Sequence, residues 1–187
     1  MRLFVAVNFP AAVRGKLSRL TAELDAASPP VRWTPRENFH LTIRWLGDRD
    51  AAERDRAARI LAETAGGAEP FEASFGSLGA FPSPRRPRVI WIAVEAGPRL
   101  RLLRDELERR LAADGFGRDE RSFRPHVTLG RARRGAAPGA FREFVALSGN
   151  LGLAETVSVE AIELMRSRTG PGGASYESLA KAKLGPG

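Results

Sequence analysis

The sequence predicts a mixed α and β fold built from a duplicated strand–helix–strand–helix–strand unit, and three observations predict it. Helix-like and strand-like stretches are interspersed along a chain that is 43% apolar, enough for a packed core. The order of elements begins again near residue 89. Two tetrapeptides, His40-Leu41-Thr42-Ile43 and His126-Val127-Thr128-Leu129, recur 86 residues apart, and Leu3 and Leu17 map onto Val89 and Leu103 at the same offset. The 187 residues fit one domain, 1–187, with repeat lobes at about 1–80 and 87–187.

Residues 3–9 are an apolar, β-rich run and predict a buried strand. Pro10 suits the first turn of a helix, on which Val13, Leu17, Leu20 and Leu24 mark one face. Ser28-Pro29-Pro30 stops it. Residues 39–46 predict a strand ended by Gly47-Asp48, residues 51–65 a helix ended by Gly66-Gly67, and residues 71–78 another strand. Residues 79–88, rich in Pro and Arg, read as a loop. The pattern then restarts. Residues 89–94 predict a strand, Pro98 opens a helix carrying Leu100, Leu103, Leu107 and Leu111, and residues 125–130 predict a strand. Phe141, Phe144 and Val145 suggest a short helix, and residues 156–165 and 176–182 a final strand pair joined by a loop at 166–174.

The net charge is +8. Such a chain favours polyanions, and without a basic amphipathic anchor nucleic acid or nucleotide stands ahead of a membrane surface. With 27 Arg and 3 Lys, codon bias explains the choice of Arg but not the excess over 22 acidic residues. The absence of cysteine excludes disulfides, thiolate catalysis and Cys-ligated metal. No apolar run approaches the roughly 20 residues of a membrane span and the N-terminus does not read as a secretory signal, so a cytoplasmic protein is expected.

The two histidines are the only ones in the chain, and each is followed at the second position by one of just seven threonines. Random placement would give that coincidence about once in 700 trials. On a strand, alternation puts His40 with Thr42, and His126 with Thr128, on one face, while Leu41, Ile43, Val127 and Leu129 point the other way. If the lobes oppose each other, two imidazoles and two hydroxyls meet in one cleft. A neutral imidazole can deprotonate water, an imidazolium can protonate a leaving alkoxide, and Thr hydroxyls can donate to phosphate oxygens, so the set suits a phosphodiester. A single His on a strand is usually structural; the matched pair argues otherwise. Two His without a carboxylate in either motif are too few for a catalytic zinc site, and neither metal nor cofactor is expected.

These motifs resemble those of the two-histidine phosphoesterase superfamily, and in particular its RNA 2′,3′-cyclic phosphodiesterases, formerly called 2′-5′ RNA ligases. The resemblance extends to Arg2-Leu3-Phe4-Val5-Ala6-Val7, Trp45-Leu46-Gly47, Pro87-Arg88-Val89-Ile90-Trp91 and Phe123-Arg124-Pro125. It implies a bilobal α+β fold with two antiparallel sheets around a central cleft, catalytic His40 and His126, and phosphate-holding Thr42 and Thr128. It also implies that Trp45 and Arg131, each five residues after a histidine, flank the terminal base. The expected reaction opens a 2′,3′-cyclic phosphate, at an RNA end or on a nucleoside, to a 2′-phosphate, with His40 as acid and His126 as base, in a monomer and with slow 2′-5′ ligation as the reverse. Strict alternation would turn Arg44 toward the cleft and Trp45 away from it, so base contact by Trp45 needs the strand to bend near Arg44 and Gly130. Arg124 and Arg44 are candidate phosphate or RNA contacts, and Arg85, Arg86 and Arg88 a basic cluster for an RNA backbone. Trp33 and Trp91 read as core. The rivals are a small cyclic nucleotide or 2′-5′ oligonucleotide as substrate, and a non-catalytic RNA-binding module.

Overall fold

A computed structural model of the chain describes every residue except 138, 150, 171, 172, 186 and 187. The first strand, β1 (Arg2–Asn8), is buried on both faces from Leu3 to Val7, which is why it reads as one unbroken apolar run. Pro10 stands just before α1 (Ala11–Asp25), whose Val13, Leu17, Leu20 and Leu24 are buried as their spacing predicts. A short β2 (Val31–Trp33) and a 3-10 turn (Arg36–Asn38) lead into β3 (His40–Asp48). Helix α2 (Ala51–Gly66) starts at a capping box in which Asp50 accepts from the Glu53 amide and Glu53 from the Asp50 amide. Strand β4 (Phe71–Phe81) runs three residues past its predicted end, to β5 (Val89–Glu95) across the Pro- and Arg-rich loop. Helix α3 (Gly97–Ala113) buries Leu100, Leu103, Leu107 and Leu111, and is followed by β6 (His126–Ala132) and α4 (Arg142–Ser148).

Two expectations are corrected at the C-terminal end. The strand expected at 156–165 is two strands, β7 (Thr156–Val159) and β8 (Ala161–Gly170), which break at Glu160 and pair with different partners. The loop expected at 166–174 is mostly strand: β8 pairs with β9 (Gly173–Lys183) from Ala161↔Lys183 to Gly170↔Gly173, and only 171 and 172 lie outside the described residues. The outer part of this ribbon is exposed and cross-linked by ions, with Arg166 and Arg168 both on Glu177, so no apolar periodicity marks it.

All strand pairs are antiparallel, in the order β7-β4-β5-β6-β3-β1-β8-β9, with β2 on β6. The two expected sheets join through one residue pair, Leu41↔Val127, on the strands that carry the histidines. The third strand of each half crosses over: β4 lies beside β5, and β8 beside β1. The helices cover one face of this curled sheet, where Leu17, Leu61, Leu107, Leu111, Ile90 and Ile162 belong to one contiguous core. The opposite face carries a small separate cluster of Phe4, Ala6 and Met165, against which Trp45 and Tyr176 pack. No helix of the described residues is long and apolar enough to cross a membrane.

Candidate active site

Both histidines begin a central strand, and each is fixed the same way. His40 Nδ1 lies 2.8 Å from the carbonyl of Asn38, and His126 Nδ1 lies 2.6 Å from the carbonyl of Arg124. In both cases the partner is two residues back. A carbonyl can only accept, so Nδ1 carries the proton and Nε2 is left as the reacting nitrogen. The Thr42 hydroxyl is 3.1 Å from His40 Nε2. Asn38 itself is tied to β9 by its amide, which donates to the Ala174 carbonyl at 2.8 Å.

The same cleft, of about 540 Å³, is lined by His40, Thr42, Trp45, His126, Thr128 and Arg131. Strict alternation fails on both strands at equivalent points. On β3, Ala6 faces Thr42 and Val5 faces Arg44, so Ile43 is an inserted residue; on β6, Trp91 faces Thr128 and Ile90 faces Gly130, so Leu129 is inserted. Each bulge sits three residues after its histidine and flips the following side chains. Trp45 is thereby brought onto the His40 face, where it stacks on Phe4 at 5.5 Å and 17°. Arg131 is turned to the cleft likewise.

Arg44 is the correction that follows. The bulge sends it to the helix side, where it is buried, ion-paired to Glu108 of α3 and hydrogen-bonded to the carbonyls of Trp45 and Gly117. It does not line the cleft. Its equivalent, Gly130, faces β2 so closely that a Cβ would come within 2.6 Å of Val31 and 2.8 Å of Trp33, and a side chain there has no room. Arg124 does line the cleft, with its guanidinium 5.9 Å from the Phe81 ring. Arg85, Arg86 and Arg88 are exposed on the β4–β5 loop and outside the cleft lining. Trp33 packs on the main core, but Trp91 stands on the cleft face, 6.1 Å from the His126 ring, across a Gly79 that leaves room for its indole.

Sequence reasoning missed the aromatic partners. His40 is packed between Phe4, at 5.0 Å, and the edge of Tyr176, at 4.9 Å; His126 meets the edge of Phe81 at 5.5 Å and Trp91. It also missed Arg104, Arg121 and Phe123 on the far wall. Phe4 and Trp91 were within reach, since they face Trp45 and Thr128 across the ladders. Tyr176 and Arg104 come from elements distant in sequence and carried no signal. Burial pushes His40 down to about 4, partly offset by the Asn38 carbonyl and reinforced by the nearby His126, and burial pushes the Tyr176 hydroxyl up. His40 is therefore neutral at pH 7. Among the described residues no three His, Cys, Asp or Glu side chains come together as metal ligands.

The sequence pattern of the 2′-5′ RNA ligase superfamily matches residues 32–171. A protein of Methanothermobacter thermautotrophicus named RNA 2′,3′-cyclic phosphodiesterase is 32% identical over 186 residues, covering 98% of this chain and 99% of its own. One of the same name from Aeropyrum pernix is 35% identical, covering 90% and 95%. Among solved structures, a Thermus thermophilus protein superposes with a TM-score of 0.80 at 27% identity over 98% of each chain. E. coli LigT complexed with 3′-AMP superposes with a TM-score of 0.76 at 23% identity over 98% of this chain and 97% of its own, a likeness of fold.

Proposed function

The chain belongs to the 2′-5′ RNA ligase superfamily, and from that premise we propose that it hydrolyses 2′,3′-cyclic phosphates at RNA ends to 2′-phosphates, with His40 and His126 as its acid–base pair and no metal ion. The observation that carries this reading is the matched fixation of the two imidazoles, each with Nδ1 on a carbonyl two residues back and a Thr two residues on, in one cleft. In this reading Thr42 and Thr128 donate to the non-bridging oxygens, and Trp45 and Arg131 clasp the terminal base.

The roles assigned are acid for His40 and base for His126. His40 is neutral at pH 7, so the acid role requires a proton that arrives with the substrate. A phosphate anion beside Nε2 favours the imidazolium and draws that proton in. His126 then takes a proton from water as it attacks phosphorus, and His40 gives its own to O3′ as the P–O3′ bond breaks. The two act as a coupled pair.

The test is incubation of the purified protein, in excess EDTA, with a short RNA ending in a 2′,3′-cyclic phosphate, with products identified by ³¹P NMR. A terminal 2′-phosphate is expected. No turnover, or turnover that EDTA abolishes and added zinc or manganese restores, overturns the reading. A phosphodiester with a p-nitrophenolate leaving group, which needs no proton, separates the roles: it should rescue His40→Ala much more than His126→Ala. The opposite rescue reverses the assignment.

A further inference from the structure

The cleft holds more positive charge than a mononucleotide uses. Its lining includes four guanidinium groups, Arg104, Arg121, Arg124 and Arg131, against a single carboxylate, Asp119. That carboxylate is already held in a bidentate pair by Arg121, at 2.8 and 2.9 Å, which keeps it well below the usual carboxylate range, at about 2. A nucleoside 2′,3′-cyclic phosphate carries one negative charge. Three cations remain, and Arg131 is the one the proposed reading gives to the terminal base.

Arg104 is the most telling of them. It projects from α3 into the cleft wall, and its side chain is only 13% exposed. Its Nε is buried and has no acceptor. The carboxylate it reaches is Asp105, its own helix neighbour, at 3.7 Å, and that side chain is 70% exposed. Below its guanidinium, at 4.8 Å, lies the Phe123 ring. Arg124, next in the chain, makes no ion pair among the described residues and lies over Phe81. A largely buried cation is costly when its one carboxylate partner is an exposed helix neighbour 3.7 Å away, and an anion that meets it offsets that cost. Arg104, largely buried, and Arg124, exposed in the same cleft, each lie over an aromatic ring, Phe123 and Phe81, and together offer a cradle for a phosphate.

We propose that Arg104 and Arg124 form a second phosphate subsite that takes the phosphodiester upstream of the cyclic phosphate. The substrate is then an RNA strand of at least two nucleotides rather than a small cyclic nucleotide. This rests on the reading of the cleft as a cyclic phosphodiesterase site. The subsite contributes no reacting atom. It supplies charge-assisted hydrogen bonds to an internal phosphate and so acts on affinity and register.

The experiment compares uridine 2′,3′-cyclic phosphate with the dinucleotide UpU 2′,3′-cyclic phosphate, in wild type and Arg104→Gln. The wild-type ratio of kcat/KM, dinucleotide over mononucleotide, should exceed about tenfold, the scale of one charge-assisted bond. In Arg104→Gln that ratio should fall toward one. In wild type the salt dependence of log kcat/KM should be steeper for the dinucleotide by about 0.7, the slope per single-strand phosphate neutralised, and the variant should lose that difference. A ratio near one in wild type, or equal losses on both substrates in the variant, overturns the subsite and leaves the phosphodiesterase reading standing. If wild type hydrolyses neither substrate, the phosphodiesterase reading fails. The subsite is then decided by binding alone: tighter binding of UpUp than of Up, lost in Arg104→Gln, supports it, and equal binding overturns it.

Discussion

His40 is neutral at pH 7 because burial beneath Phe4 and Tyr176 outweighs the Asn38 carbonyl that would help it hold a proton. The displacement has a consequence for stability. The unfolded chain protonates this His near 6.5 and the native state only near 4, so between those values the unfolded state binds more protons. Its contribution is complete above pH 6.5 and is lost as pH falls to 4, on the order of 3 kcal/mol. Urea midpoints should drop between pH 7 and pH 4 more in wild type than in His40→Gln; equal drops would show that His40 does not carry the linkage. On the proposed reading Trp45 and Arg131, which line the same cleft, stack on a base, a contact tolerant of base identity and worth about 1–3 kcal/mol. Trp45→Ala and Arg131→Ala should raise KM for all four nucleoside 2′,3′-cyclic phosphates and change a base-free cyclic phosphate much less. Equal losses on both substrates would assign these residues to the phosphate or the fold. At this scale the histidines and threonines were legible because the motif repeats, whereas Tyr176 and Arg104 reach the cleft from elements with no local sign of it.

Strand β3 shows how one inserted residue changes which side chains do chemistry. Alternation through His40, Thr42 and Arg44 points Arg44 into the cleft, and the bulge at Ile43 exchanges it with Trp45. The bend expected near Arg44 and Gly130 falls one residue earlier, at Ile43 and Leu129, where the ladders with β1 and β5 set the bulges. Arg44 then serves the wall of the cleft. It pairs with Glu108, whose other oxygen accepts the Asp119 amide at 2.6 Å, and it reaches the Gly117 carbonyl at 3.0 Å, so one buried pair fixes the loop that carries Asp119 and Arg121. Arg44→Met leaves Glu108 as a buried unpaired charge and should destabilise by about 3–5 kcal/mol. Arg44→Met with Glu108→Leu should recover much of that stability while KM stays raised, because the loop has lost its tether. Wild-type KM in the double variant would show that the pair does not order the loop. The C-terminal hairpin was misread for a related reason: in its outer half Tyr176 packs on Phe4 but its described neighbours are small, polar or charged, so the ladder of β8 with β9 is invisible to periodicity.

The whole molecule brings two similar strand–helix–strand units together at one ladder step, Leu41↔Val127, and so sets the two motifs side by side. The duplicated order of elements was legible because buried leucines recur on α1 and α3 and apolar runs on β1 and β5. The crossing of the third strands was not, because β4 and β8 choose partners far away in sequence. Crossing gives each histidine an aromatic partner from the other half of the chain: Tyr176 of β9 for His40, and Phe81 of β4 for His126. The central claim is that these two imidazoles are a single acid–base pair. The measurement that tests it most directly is the pH profile of kcat/KM on an RNA 2′,3′-cyclic phosphate for wild type, His40→Ala and His126→Ala. A bell for wild type, with each variant reduced by about 10²-fold or more and missing one limb, is the predicted result. Near-wild-type turnover in either variant, or a wild-type rate that climbs steadily from about pH 5 to 10 as hydroxide attack would make it, would contradict the claim.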